Sequence, residues 1–439
     1  MSSKKMKKYY IETFGCQMNE FDSERIAYLL DKEGYEKWEK AEESDVIIIN
    51  TCAVRENAKN KLYGHIGRLK SLKLLRSDLL ICIGGCSAQN LKEEILRVFP
   101  FVDIIFGTHN ISELPNLIFK KVSAGRSICN VENDGFDYIL NDFKNTHSFK
   151  ACLPVSIGCN NYCSYCIVPY VRGKEKSIEP SEIVNAAKDL VLKGVVEITL
   201  LGQNVNSYGK DFEIKFEFPD LLEKIAQING LKRIRFMTSH PKDLSNDLIK
   251  VISKNSNIVN HIHLPLQSGS DKILKSMNRK YSRGSYLEII KNIRTQIPDC
   301  SITTDIIVGF PGENYEDFKE TMDIIERVRF NKAFTFIFSK REGTAAYKLE
   351  DIVSLEEKKE WFKELLLTQN KISMEENKTL VGKNLEVLVE GAGSKGMMHG
   401  RLENNSIVNF EGNEDLVGKI IKLNITEAKS FYLLGKTLI

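Results

Sequence analysis

Apolar positions in the first 120 or so residues fall into short runs separated by amphipathic stretches. Residues 9–13, 45–50, 78–83 and 102–106 read as strands. The run Val46-Ile47-Ile48-Ile49 lacks polar alternation, the signature of a strand covered on both faces of a parallel sheet. Residues 22–32, 53–75 and 91–98 read as intervening helices, the first stopped by Gly34. Alternation of this kind predicts an α/β fold with an open parallel N-terminal sheet. From residue 123 to residue 150 the periodicity weakens and Asn, Asp and Lys accumulate, which reads as a connector.

Six further strands are predicted at residues 153–157, 195–200, 233–237, 261–266, 301–308 and 333–338. Helical segments fill the gaps; Pro180 suits a first helical turn, and residues 314–328 are amphipathic. Six such units fall short of a closed eight-unit barrel and predict a partial (β/α)6 barrel. Polar or glycine-bearing segments follow nearly every strand, including Gly202-Gln203-Asn204, Gln267-Ser268-Gly269 and Gly309-Phe310-Pro311-Gly312. In parallel barrels that end carries the chemistry. Ser354-Leu355-Glu356-Glu357 forms a capping box that opens a helix to about residue 377. Beyond it, residues 385–389, 407–410, 419–425 and 431–434 read as short strands broken by glycine turns, a small C-terminal β-barrel. The expected domains are therefore 1–122, a linker at 123–150, 151–372 and 373–439.

Composition narrows the class. Among 439 residues, 42% are hydrophobic and 28% charged, which excludes a disordered or fibrous chain. No apolar run approaches the roughly 20 residues of a membrane span, and the basic N-terminus leads into no apolar leader. A cytoplasmic protein without membrane partners is expected. The net charge of +3 neither demands nor excludes a nucleic-acid partner.

The ten cysteines are more informative, because a reducing cytoplasm disfavours a disulfide framework. Cys16, Cys52 and Cys86 each lie just past the carboxyl end of a predicted strand, the edge where open α/β sheets bind ligands. Gly15 and Gly85 would let backbone approach a bulky group. In the second region, Cys159-Asn160-Asn161-Tyr162-Cys163-Ser164-Tyr165-Cys166 follows a strand and Gly158. No nearby histidine completes a zinc quartet. A cubane iron–sulfur cluster held by three cysteines keeps one iron open for a substrate. A zinc or electron-transfer site shares this spacing, and Cys16, Cys52 and Cys86 are also compatible with buried thiols. Cys82 lies inside a strand and reads as core, as do Cys129, Cys152 and Cys300.

The Cys159-x3-Cys163-x2-Cys166 pattern resembles the radical S-adenosylmethionine superfamily. Together with Gly15-Cys16-Gln17-Met18-Asn19, Asn50-Thr51-Cys52-Ala53-Val54-Arg55 and Gly85-Cys86-Ser87-Ala88-Gln89, it resembles that superfamily's methylthiotransferases. Leu201-Gly202-Gln203-Asn204-Val205-Asn206, Thr238-Ser239-His240-Pro241, Leu264-Pro265-Leu266-Gln267-Ser268-Gly269-Ser270 and Met277-Asn278-Arg279-Lys280-Tyr281 resemble the branch acting on N6-dimethylallyladenosine at position 37 of tRNA. The resemblance spans essentially the whole chain, including a TRAM-type RNA-binding barrel.

The resemblance implies two [4Fe-4S] clusters and S-adenosylmethionine. Cys159, Cys163 and Cys166 would hold the cluster that cleaves S-adenosylmethionine to a 5′-deoxyadenosyl radical. That radical would take hydrogen from C2 of the adenosine, a site that acid–base groups cannot activate. Cys16, Cys52 and Cys86 would hold a second cluster that carries sulfur, and further S-adenosylmethionine would supply methyl. The implied partners are the tRNA anticodon stem-loop and a one-electron donor such as flavodoxin or ferredoxin.

Gln203, Gln267, Ser268 and Asp305, near strand ends, are candidates for holding S-adenosylmethionine; rim packing is the other reading. His240, His261 and His263 read as core or rim residues. Arg172, Lys174 and Lys176 suit either tRNA phosphates or a solvated basic face. Residues 376–439 carry eight basic and eight acidic side chains, so charge gives the terminal barrel no RNA signature; Lys395, His399 and Arg401 form a local candidate patch. The rival readings are the same chemistry on threonylcarbamoyladenosine tRNA or a ribosomal-protein aspartate, and a non-catalytic iron–sulfur or zinc RNA-binding protein.

Overall fold

The computed structural model describes residues 6–53, 58–132, 140, 143–393 and 396–438. Val54 and Arg55 of the Cys52 motif, and Lys395 of the candidate patch, lie outside the described residues. The chain divides into two compact units: residues 1–147 with 152–160 and 166–186, and residues 148–151 with 161–165 and 187–439.

In the first unit, β1 (Lys8–Thr13), α1 (Gln17–Lys32), β2 (Glu36–Lys37), β3 (Val46–Thr51), α2 (Ala58–Leu75) and β4 (Leu80–Gly85) follow the predicted alternation except for the two-residue β2, which the sequence pattern does not mark. They are followed by α3 (Cys86–Leu91), α4 (Glu93–Val98), β5 (Ile104–Phe106), α5 (Leu114–Ala124) and β6 (Ile128–Asn130). The six strands form one parallel sheet in the order β2-β1-β3-β4-β5-β6. Side chains alternate across a strand, so β3 sends Val46 and Ile48 into one apolar layer and Ile47 and Ile49 into the other. Cys82 is fully buried in the first layer. The predicted helix at 91–98 is the shorter α4; Lys92 at φ 49° separates it from α3, which the sequence pattern does not mark. The connector contains β6, whose three residues are too few to show a period.

Residues 153–157, read as one strand, are two: β7 (Lys150–Pro154) and β8 (Ser156–Ile157). The second pairs antiparallel with β9 (Lys176–Ser177), bringing the two ends of the Cys159 loop together. Between β8 and β9 lies α6 (Val168–Val171), and after them α7 (Pro180–Leu192).

In the second unit the remaining barrel strands are β10 (Glu197–Leu201), β11 (Arg233–Phe236), β12 (His261–His263), β13 (Ser301–Val308) and β14 (Lys332–Ile337). Helices α8 (Phe218–Ala226), α9 (Asn246–Lys254), α10 (Asp271–Ser276), α11 (Arg283–Gln296) and α12 (Tyr315–Val328) lie between them in sequence. The strands hydrogen-bond as β11-β10-β7 and β12-β13-β14, with a parallel bridge from Ile234 to Ile258 linking the sets. The capping box at Ser354 and Glu357 opens α13 (Leu355–Lys378).

The last strands are β15 (Asn384–Ala392), β16 (Met398–Arg401), β17 (Ile407–Phe410), β18 (Ile420–Ala428) and β19 (Tyr432–Thr437), closed in the order β15-β16-β17-β19-β18. β16 escaped prediction because it spans four residues and contains Gly400. That glycine is required: a Cβ there would lie 2.4 Å from Val387 Cγ1. Two buried arginines of β11 reach the small barrel. Arg233 donates to the carbonyls of Glu386 and Arg401, both at 2.9 Å. Arg235 donates to those of Leu402 and Glu403, both at 2.7 Å, and pairs with Glu197 at 2.9 Å.

Candidate functional site

Cys16, Cys52 and Cys86 follow β1, β3 and β4, which are neighbours in the sheet, so adjacent strand ends deliver the three thiols. Backbone crowding there demands glycine. Gly15 has φ +135°, and a Cβ on it would sit 2.6 Å from Cys52 Cβ. Gly85 has φ +88°, and its Cβ would meet the Asn50 side-chain oxygen and the Thr51 carbonyl, each at 2.4 Å. Asn19, in the first turn of α1, ties the loops together. Its amide nitrogen donates to the carbonyls of Thr51 at 2.9 Å and Phe14 at 3.2 Å, and its oxygen accepts from the Cys16 thiol at 3.5 Å.

Cys16 is exposed, whereas Cys52 and Cys86 are buried. A hydrogen bond with Cys52 draws the Cys16 thiol down to about 6, helped by the charge of Arg172. Burial pushes the Cys86 thiol up, opposed by Arg172. Among the described residues, no three His, Cys, Asp or Glu side chains converge closely enough to grip a single metal ion. A cubane presents a separate iron to each cysteine and needs no such convergence. Three soft sulfur donors on adjacent strand ends, one already favouring the thiolate, fit that group better than a lone hard cation.

In the second motif, Cys159 and Cys163 are buried and Cys166 is half-buried. Gly158 at φ +80° admits the Lys174 carbonyl, which would lie 2.1 Å from any Cβ there, and the Cys159 amide donates to Gly173 O at 3.2 Å. Cys163 and its flanking residues 161–165 belong to the second unit. There Ser164 donates through its amide to Met277 O at 3.0 Å and through its hydroxyl to Ser276 O at 2.8 Å. Asn278 donates to Tyr162 O at 2.8 Å, and Arg279 donates to the Cys163 sulfur at 3.4 Å. The Met277–Tyr281 segment thus cradles the middle of the cysteine loop.

Gln267 and Ser268 lie in the loop after β12, whereas Asp305, expected near a strand end, sits in the middle of β13, because that strand runs on to Val308. The Gln267 amide donates to Asp305 O at 2.8 Å; Gln267 is buried at φ +68°, and its side-chain oxygen has no hydrogen-bond partner among the described residues. Ser268 is fully buried, its hydroxyl accepting from the Ser270 amide at 3.2 Å. The half-buried Asp305 carboxylate lies 3.4 Å from His263 Nε2. Gln203 is half-buried in the loop after β10. Burial keeps His240 and His261 neutral, down to about 2 and about 3.

Family profiles match three stretches: Uncharacterized protein family UPF0004 at residues 8–107, the Radical SAM superfamily at 153–325, and the TRAM domain at 378–438. The chain is 47% identical over 433 residues to the tRNA-2-methylthio-N(6)-dimethylallyladenosine synthase of Thermoanaerobacter pseudethanolicus, covering 98% of this chain and 92% of that one. It is 48% identical over 435 residues to the synthase of that name from Clostridium botulinum, covering 98% and 96%. The chain belongs to the tRNA-2-methylthio-N(6)-dimethylallyladenosine synthase family. Its fold is shared with the radical S-adenosylmethionine methyltransferase TsrM from Kitasatospora setae, at TM-score 0.55 and 12% identity over 75% of this chain and 72% of the other.

In this synthase family member the structure departs from the sequence pattern at several charged side chains. Arg172, grouped with Lys174 and Lys176 as a basic face, is buried against Asp22 at 2.7 Å, while the two lysines are exposed. Asp22 read only as the start of a helix. Glu313 is buried beyond the glycine turn, its carboxylate accepting from the Gly309 and Phe310 amides. Arg279 is marked in the sequence only as part of the Met277–Tyr281 motif. Arg401 of the candidate RNA patch is engaged with Glu390 at 3.3 Å. Among the described residues, no helix is long and apolar enough to cross a membrane.

Proposed function

We propose that the chain installs a methylthio group at C2 of N6-dimethylallyladenosine at position 37 of tRNA. The observation that carries the reading is its 47–48% identity, over 98% of its length, to proteins named for that product. Those names favour the dimethylallyl substrate over the threonylcarbamoyl and ribosomal-protein alternatives. Residues 1–122 hold one [4Fe-4S] cluster through Cys16, Cys52 and Cys86; residues 151–372 hold the other through Cys159, Cys163 and Cys166, with S-adenosylmethionine; residues 373–439 bind RNA. Bound there, these groups supply a carbon radical strong enough to break the C2–H bond, together with the sulfur and methyl that replace the hydrogen.

The chain's own side chains orient and exclude. Arg279 fixes the Cys163 sulfur from a buried position, and Asn19 fixes the Cys16 and Cys52 loops. Gln267 offers an unmatched buried acceptor, and Asp305 an accessible carboxylate, to the amine and hydroxyl groups of S-adenosylmethionine. The flipped adenosine enters among the loops at the strand ends. The anticodon stem-loop is the macromolecular partner, flavodoxin or ferredoxin the electron donor, and the cytoplasm the compartment.

Mass spectrometry of tRNA nucleosides from a deletion strain tests the reading. Loss of 2-methylthio-N6-dimethylallyladenosine with accumulation of N6-dimethylallyladenosine, reversed by the intact gene, is expected. Unchanged 2-methylthio content rejects it.

A further inference from the structure

Among the described residues, the most deeply buried ion pair of the first unit stands beside the cysteines that follow β1, β3 and β4. Arg172 and Asp22 are 3% and 0% exposed and meet at 2.7 Å. Arg172 also donates at 3.1 Å to the Asn19 oxygen, the same atom that accepts from the Cys16 thiol. The segment that carries Arg172 is itself seated there. Ile167 and Val171 pack against Cys86 and Ala53, and the Val171 carbonyl accepts from the Thr108 hydroxyl at 2.6 Å. This segment begins directly after Cys166.

Burying a charge pair is costly, and the pair would be replaceable by apolar side chains if it served packing alone. Its placement suggests another role. We propose that Arg172, held by Asp22 and Asn19, is a positioning residue for the group bound by Cys16, Cys52 and Cys86, a fixed buried positive charge that sets the reduction potential of that cluster. This rests on the reading that the three cysteines hold a cluster. A cluster gains negative charge on reduction, so a buried cation beside it favours the reduced state and raises the potential. The two partners should therefore act with opposite sign. Removing Arg172 lowers the potential, and more so because Asp22 stays behind; removing the Asp22 charge raises it.

The test uses the full-length Cys159→Ala, Cys163→Ala, Cys166→Ala triple variant, which keeps only the Cys16 site for loading. After anaerobic reconstitution with iron and sulfide, iron content is measured and the midpoint potential is titrated by electron paramagnetic resonance. Adding Arg172→Met is expected to weaken reduction at least tenfold, 59 mV for one electron. Adding Asp22→Asn is expected to shift the potential upward, and Arg172→Lys to stay near the parent. A purely structural role would not produce opposite signs. If Arg172→Met fails to load, the Asp22→Asn and Arg172→Lys values decide alone. Iron retained with the potential unmoved in the loaded variants overturns the inference. A triple variant that binds no iron overturns instead the assignment of the cysteines, and the inference with it.

Discussion

The guanidinium of Arg279 donates to the sulfur of Cys163 at 3.4 Å, inside a site where both residues are 8% exposed. Arg279 also donates to Pro265 O at 3.1 Å and to the Tyr281 hydroxyl at 3.1 Å. One side chain therefore joins the cysteine loop to the strand end after β12. Arg279→Met should destabilise the cluster-free protein by on the order of 2 kcal/mol, the scale for buried hydrogen bonds to a charged group. In a Cys16→Ala, Cys52→Ala, Cys86→Ala background it should also lower bound iron. Urea unfolding and iron analysis check both; unaltered values for each would show that the contact is incidental.

Gly15 leaves no space for a side chain beside Cys52. Gly15→Ala adds a Cβ 2.6 Å from Cys52 Cβ at a φ that L residues avoid. The loops must separate, so the variant should retain about half the iron of the parent, that of the Cys159 motif. Full loading in Gly15→Ala would mean that the Cys16 and Cys52 loops tolerate displacement.

Arg235 and Glu197, each 5% exposed, anchor the C-terminal barrel from the neighbouring strands β10 and β11. Arg235→Ala leaves the Glu197 carboxylate buried without its cation, a loss of roughly 3–5 kcal/mol. Arg235→Ala with Glu197→Gln should recover part of it. Amide exchange should rise first in β16 and the turn after it, because Leu402 and Glu403 lose their donors. Exchange confined to β10 and β11 would contradict the anchoring role.

Glu313 gives a pH signature. Burial raises its carboxyl from 4.5 to about 7, against the pull of the Gly309 and Phe310 amides. The contribution of the protonated carboxyl to stability is therefore complete below pH 4.5 and is lost as pH rises to about 7. At 1.36 kcal/mol per unit this amounts to at most about 3 kcal/mol. Glu313→Gln cannot ionise, so its stability relative to the parent should improve across that window and level off above it. A constant difference from pH 5 to pH 8 would remove Glu313 as the titrating group.

The exposed Cys16 thiol, drawn down to about 6, should be the first cysteine alkylated by iodoacetamide in cluster-free protein at pH 7. Cys82, fully buried in the sheet with its thiol pushed up by that burial, should react last. Peptide mapping orders the sites; equal rates would contradict the polarised environment at Cys16.

Local signals carried much of the architecture. Val46 to Ile49 announced a doubly covered strand because side chains alternate every residue, and the spacing of cysteines after strands with adjacent glycines is written along a few consecutive positions. Ser354 and Glu357 likewise set a helix start within one turn. Such features need only near neighbours, so the chain alone determines them. What the tertiary structure decided are the partners of charged side chains. Arg172 meets Asp22 across 150 positions, and Arg235 meets Leu402 across 167. An arginine followed by lysines looks the same in sequence whether it faces solvent or an aspartate. Only folding removes water from around it, and in that setting an ion pair becomes a fixed structural charge.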